Sequence, residues 1–133
     1  MKYVCFGYYD EKIWEGMSES EHNTFVDECF AYDDQLGREA RSIAGGEALQ
    51  SSQNAKTLRL RNGKVMITDG PYAETKEQIG GFFIFEAKDI DEAVRLISNH
   101  PGLKAGPFEI RPVEDMTEMR NESDRRRSKA TRK

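Results

Sequence analysis

Apolar residues alternate or recur along this chain with two periods, two and about three and a half. Residues 2–9 read as a strand, with Val4, Phe6 and Tyr8 on one face and Tyr3, Cys5, Gly7 and Tyr9 on the other. Both faces are apolar enough for a central strand covered on each side. Ser18 followed by Glu21 is a capping-box signature. Behind it Phe25, Cys29, Tyr32, Leu36, Ala40 and Ile43 form one helical stripe, with Gly45-Gly46 as the stop. Glu47-Ala48-Leu49 starts the return to the sheet, and Gln50 to Asn54 is a polar loop.

Thr57–Arg61 and Lys64–Thr68 flank Asn62-Gly63, a two-residue hairpin signal. That register sets Leu60 opposite Val65 and Leu58 opposite Ile67, with Arg59 and Met66 on the other side. Residues 81–86, Gly-Phe-Phe-Ile-Phe-Glu, form a further buried strand. Asp89 with Glu92 opens a second helix whose apolar positions are Ala93, Val94, Leu96 and Ile97. Asn99-His100-Pro101-Gly102 ends it, and Phe108–Val113 is the last strand.

Strand, helix, hairpin-containing segment, strand, helix, strand is the split βαβ order. The predicted class is α+β: a ferredoxin-like antiparallel sheet with two helices on one face. The second face keeps its Tyr, Phe and Ile side chains and nothing in one copy remains to cover it. A homodimer with stacked sheets, a dimeric α+β barrel, follows as the expectation.

The 133 residues suffice for one domain with a modest core. At 37% hydrophobic and 33% charged, the chain has no apolar run long enough to span a bilayer. No secretion signal is read at the N-terminus, so the expected location is cytoplasmic, with no membrane partner. Cys5 and Cys29 lie far apart on apolar stripes and read as buried reduced thiols. No clustered Cys and His spacing suggests a metal.

The net charge of −4 hides an asymmetry. Residues 125–133 hold six bases and no acid, leaving 14 basic against 24 acidic residues elsewhere, a net of −10. Nucleic acid is therefore not expected on the folded body. Beyond Val113 the large apolar residues thin to two methionines, so the domain is read as 1–113 and the charged tail 114–133 as disordered.

The densest ionisable cluster is Asp69-Gly70-Pro71-Tyr72-Ala73-Glu74-Thr75-Lys76-Glu77. Asp69 at a strand end can fix the turn or serve as a general acid or base. Glu47, if it reached the same cleft, would raise one of the two carboxyl pKa values. His100 can meet helix C-terminal carbonyls or shuttle a proton. Tyr72, Glu74, Lys76 and Arg111 are candidate ligand contacts, each with a packing or ion-pairing role as the alternative. No phosphate loop, dinucleotide fingerprint or nucleophile elbow is present, and no cofactor is expected.

Gly45-Gly46-Glu47-Ala48-Leu49-Gln50, the segment from Thr68 to Gly81 and Glu109-Ile110-Arg111-Pro112-Val113 resemble the YCII-related proteins. The match falls in the subgroup named for an Asp-Gly-Pro-Phe motif and spans roughly residues 1–113. The resemblance implies a dimeric ferredoxin-like barrel and a cleft holding acidic and histidine side chains. It also implies kinship with small isomerase- or dehalogenase-like enzymes, while other members keep company with sigma factors. Tyr72 stands where the motif has Phe. His22 is the sole histidine near the first helix, and the wider group's helix histidine is not assigned to it. Two functions are therefore expected: a cofactor-free acid/base enzyme acting on a small organic molecule, or a non-catalytic regulatory or interaction module linked to transcription.

Overall fold

A computed structural model describes residues 1–39 and 43–131. Four strands make the main sheet: β1 (Lys2–Tyr9), β2 (Ile43–Ala48), β5 (Gln78–Glu86) and β6 (Phe108–Pro112). Between β2 and β5 the chain inserts β3 (Lys56–Arg61) and β4 (Lys64–Asp69), which pair only with each other. The helices are α1 (Glu11–Glu15), α2 (Glu19–Glu39), α3 (Ile90–Ile97) and α4 (Thr117–Thr131). Main-sheet order is β2-β5-β1-β6, antiparallel throughout, which is the split βαβ arrangement.

The two faces of the sheet differ. Tyr3, Cys5 and Phe85 point to the helices and are buried with Leu36 of α2 and Ala93, Leu96 and Ile97 of α3. Tyr32 of α2 ties the two helices together by donating to the Leu96 carbonyl at 2.5 Å. The opposite face carries Val4, Phe6, Phe82 and Ile84, only half-buried. Local signals hold where they are local. Ser18 Oγ accepts from the Glu21 N–H at 3.1 Å, and the Glu21 carboxylate accepts from the Ser18 N–H at 3.0 Å. Asp89 accepts from the Glu92 N–H at 2.9 Å. The hairpin register is the expected one, and Asn62 (φ 50°) and Gly63 (φ 78°) supply the left-handed pair its turn needs.

Five expectations are corrected. The hairpin is no part of the main sheet; the second sheet strand is β2, which begins at Ile43 and contains Gly45-Gly46. Those glycines do not stop a helix. A Cβ on Gly46 would stand 2.5 Å from the Phe83 Cβ, so glycine is what lets this edge strand approach β5. Of the helical stripe, Ile43 lies in β2 and Ala40 lies outside the described residues. Val94 is exposed, because α3 is short and seats one face only. Lastly, the tail forms α4 rather than a disordered strand of charge. Asp115 accepts from the Thr117 N–H at 2.9 Å, Arg120 and Arg127 bridge to Asp124, and no Gly or Pro interrupts. Hydropathy foretold the missing apolar stripe but not this local support. No helix among the described residues is long and apolar enough to cross a membrane.

Both cysteines are free thiols, Cys5 buried and Cys29 half-buried. Burial first, then the Asp33 carboxylate, pushes Cys5 up to about 12 and Cys29 up to about 11. A thiol raised in the folded state adds stability fully present below its unfolded value of about 8.5, and lost as pH climbs toward the folded values. Urea midpoints should therefore fall above pH 9. Iodoacetamide labelling at about pH 8, followed by mass spectrometry, should be roughly a hundredfold slower in native protein than in urea. Phe85, with no exposed area, fills the centre of the core. Phe85→Ala should cost about 3–5 kcal/mol in urea denaturation.

Candidate functional site

Helix α2 does not lie flat on the sheet. Between them runs a cleft of about 790 Å³, walled by Phe25, Cys29 and Asp33 of α2 and by Phe83 of β5, with His100 at its base. The sequence folds this way because glycines line the sheet side. Gly7, Gly46 and Gly81 contribute no side chain there, so space remains beneath α2.

His100 is buried and N-caps the 3-10 turn Pro101–Lys104. Its Nδ1 accepts from the Gly102 N–H at 2.9 Å. Nε2 therefore carries the proton and donates to Asp33 Oδ1 at 2.8 Å. The ring is boxed by Tyr32 (5.0 Å between centroids), Phe108 (5.1 Å) and Phe83 (6.4 Å). Asp33 has a side chain 47% exposed, and its Oδ2 has no protein partner among the described residues. A buried imidazole thus aims a carboxylate that is open to solvent. The rim is organised by α1. Asp10 caps it, and Trp14 stacks on His22 at 4.2 Å and meets Phe25 edge-on at 5.7 Å. Glu11 accepts from the Ser52 N–H at 2.7 Å and the Ser52 hydroxyl at 2.9 Å, fixing the loop after β2. The Ser52 N–H, more than any other partner, holds the Glu11 carboxyl below its ordinary range. The Tyr9 phenol beside it is raised by burial and then by the Glu11 charge.

A second cavity of about 620 Å³ lies on the other side of the sheet. It is bounded by Tyr8, Ile79, Leu49, Pro71 and Tyr72. Its polar groups are largely spent on one another: Gln78 Nε2 donates to the Ala73 and Thr75 carbonyls, and Asn54 Nδ2 to Gln50.

The sequence-derived residues are scattered over this geometry. His100 and Glu47 line the large cleft and Tyr72 the small cavity, whereas Asp69, Glu74, Lys76 and Arg111 line neither. Asp69 is 83% exposed and paired with Lys56 on the hairpin. Glu47 sits opposite Phe82 on edge strand β2, so it borders the cleft at the sheet edge while its side chain shares the face of Phe82, not the helix-covered face where His100 packs. Asp69 pairs with Lys56 on the inserted hairpin, and no hydrogen bond or ion pair joins it to Glu47 among the described residues. His100 meets no helix C-terminal carbonyl through its ring, because Pro101 starts a new turn that the ring caps instead. Tyr72 is exposed, with the Arg59 guanidinium 5.4 Å from its ring centre. Lys76 approaches Asp10 at 4.0 Å. Arg111 is held by Glu109 through Nε at 3.1 Å and a terminal nitrogen at 2.9 Å, and Tyr8 donates to the same carboxylate at 3.1 Å. Sequence reasoning passed over Asp33. The signal was there: an acid four residues after Cys29 and three before Leu36 sits on the inward stripe of an amphipathic helix. Among the described residues no three Cys, His, Asp or Glu side chains gather as a metal site.

An uncharacterised protein of Rhizobium meliloti (strain 1021) is 32% identical over 116 residues, covering 85% of this chain and 92% of that one. The solved structure of 5-chloro-2-hydroxyhydroquinone dehydrochlorinase from Burkholderia phenoliruptrix AC1100, bound to 2,5-dihydroxybenzoquinone, is similar at a TM-score of 0.44 and 18% identity, over 86% of this chain and 94% of that one. The model of the YCII-related domain matches residues 1–117, and the chain belongs to that family.

Proposed function

We propose that the cleft beneath α2 binds a small organic molecule and that Asp33 is its acid/base group, oriented by His100. The carrying observation is the buried imidazole, with one nitrogen satisfied by backbone and the other directed at a half-exposed carboxylate in the cleft. A volume near 790 Å³ falls within the range of small-molecule sites, and Phe25 and Phe83 offer apolar walls. Asp33 Oδ2 can accept a ligand O–H or take a proton from it, while His100 Nε2–H keeps Oδ1 in place. His100 acts through Asp33 and is a positioning residue. No cofactor enters this reading.

The finer placement is also a proposal. Asp69-Gly70-Pro71-Tyr72 supports the Asp-Gly-Pro-Phe subgroup. Two free thiols suit the reducing cytoplasm. The half-buried face holding Val4, Phe6, Phe82 and Ile84 supports a homodimer with stacked sheets, closing a barrel.

Crystals soaked with a panel of phenols and short carboxylic acids test the site. Ligand density should appear beside Asp33, and Asp33→Asn should weaken binding by about tenfold or more in NMR titrations. Density only beside Tyr72, or equal affinity in Asp33→Asn, would remove this reading.

One observation favours an interaction role alongside it. Helix α4 has no apolar stripe, and Arg125, Arg126 and Lys129 have no side-chain partners among the described residues. Such a surface recognises anions by charge alone. In a pull-down, the full chain should retain an acidic partner that the Arg125→Glu, Arg126→Glu, Lys129→Glu variant loses; identical captures would dismiss the role.

A further inference from the structure

Hairpin β3–β4 is built as though something lay against it. Its register puts Leu58 beside Ile67 and Leu60 beside Val65, so four aliphatic side chains share one face. Each is between 59% and 73% exposed. The Asn62-Gly63 turn sets the register, but a two-stranded ribbon by itself is marginal in water. An aliphatic face of this size on an otherwise charged chain marks a contact surface.

Two observations identify the occupant. The first is charge. Lys56, Arg59, Arg61 and Lys64 stand against Asp69, so the hairpin is net +3 on a chain of net −4. A basic arm on an acidic chain is attracted to other copies of that chain. A nucleic acid would satisfy the bases yet leave four aliphatic side chains wet. The second is position. The Gly70 N–H donates to the Ala55 carbonyl at 2.8 Å and closes the hairpin's base. Ala55 and Pro71, one on each flank, line the small cavity together with Tyr8 and Ile79 of the sheet face opposite the helices. The arm is therefore rooted on the side where Val4, Phe6, Phe82 and Ile84 lack a cover. The chain holds two apolar surfaces, and the exposures show that they do not cover each other.

We infer that the hairpin is a dimerisation arm: its Leu58, Leu60, Val65 and Ile67 face packs on the open side of a second copy of this chain. The arrangement is isologous, each copy giving and receiving one arm. It rests on the homodimer reading above and assigns that interface residues outside the main sheet. The arm's net positive charge draws it toward an acidic second copy at long range, whereas Arg59 and Arg61 project from the ribbon face opposite Leu58 and Leu60, so loss of the aliphatic face weakens the association more than salt does.

Sedimentation velocity on the full chain tests it, with the Leu60→Lys, Val65→Glu double variant beside the wild type. That pair keeps a cross-strand attraction, so the ribbon survives while the apolar face is lost. Far-UV circular dichroism checks the fold, and Leu58→Thr, Ile67→Thr, which retains strand propensity, serves where the first variant fails to fold. The wild type should be a dimer at about 10 µM, and the variant's dissociation constant should rise at least about tenfold. A dimer unchanged in both folded variants overturns the arm and leaves the stacked-sheet dimer standing. A monomeric wild type at about 100 µM overturns both.

Discussion

Tyr3, Cys5 and Phe85 are dry because α2 and α3 cross one face of a four-stranded sheet, while neither the five-residue α1 nor α4, which has no apolar stripe, supplies a matching apolar cover for the other. This one-sided cover governs the rest. It concentrates the core between α2, α3 and the inner positions of β1, β5 and β6. It leaves Val4, Phe6, Phe82 and Ile84 as a second, half-buried apolar layer with no helix packed on it among the described residues. It also makes the seam beneath α2 the place where a cavity can form, because that helix must span strands whose glycines give it little to rest on.

The candidate chemistry sits in that seam by the same logic. An imidazole buried among three rings is tolerable because both nitrogens are bonded, one to the Gly102 N–H and one to Asp33. Asp33 in turn lies on the inward stripe of α2 and yet stays half-exposed, because the cleft brings solvent to it. After burial, the same carboxylate is the next cause that raises the thiols of Cys5 and Cys29, so one charge on α2 influences both cysteines. The ionisable cluster after β4 does something different. Asp69 pairs with Lys56, Gln78 tethers the loop carbonyls and Arg59 rests near Tyr72, so the segment is a brace for the hairpin's base.

Charge is divided as unevenly as apolar area. The hairpin and the end of α4 are basic, and the rest of the chain is acidic. In α4 Asp124 pairs with Arg120 and Arg127, while Arg125, Arg126 and Lys129 have no side-chain partner among the described residues. In the hairpin the bases flank an uncovered aliphatic face, which couples electrostatic attraction to apolar burial in one arm.

Much of what depends on neighbours a few residues apart was legible in the amino-acid sequence, the cap and ion pairs of α4 being the exception. The alternation in β1, the reciprocal cap of Ser18 and Glu21, the Asp89 cap and the Leu58–Ile67 register all follow from local spacing. The family was legible too, from residues 1–113. What escaped is what distance decides. Gly45-Gly46 reads as a helix stop, and only contact with Phe83 shows it to be an edge strand. Glu47 and Asp69 are candidates for one cleft in the sequence, but Asp69 lies on an inserted hairpin that pairs only with itself, bonded to Lys56. Asp33 and His100 are 67 residues apart and meet only because α2 and the turn after α3 pack on the same face. Local sequence determined the elements and their caps; the one-sided packing of those elements decided which side chains share a cleft.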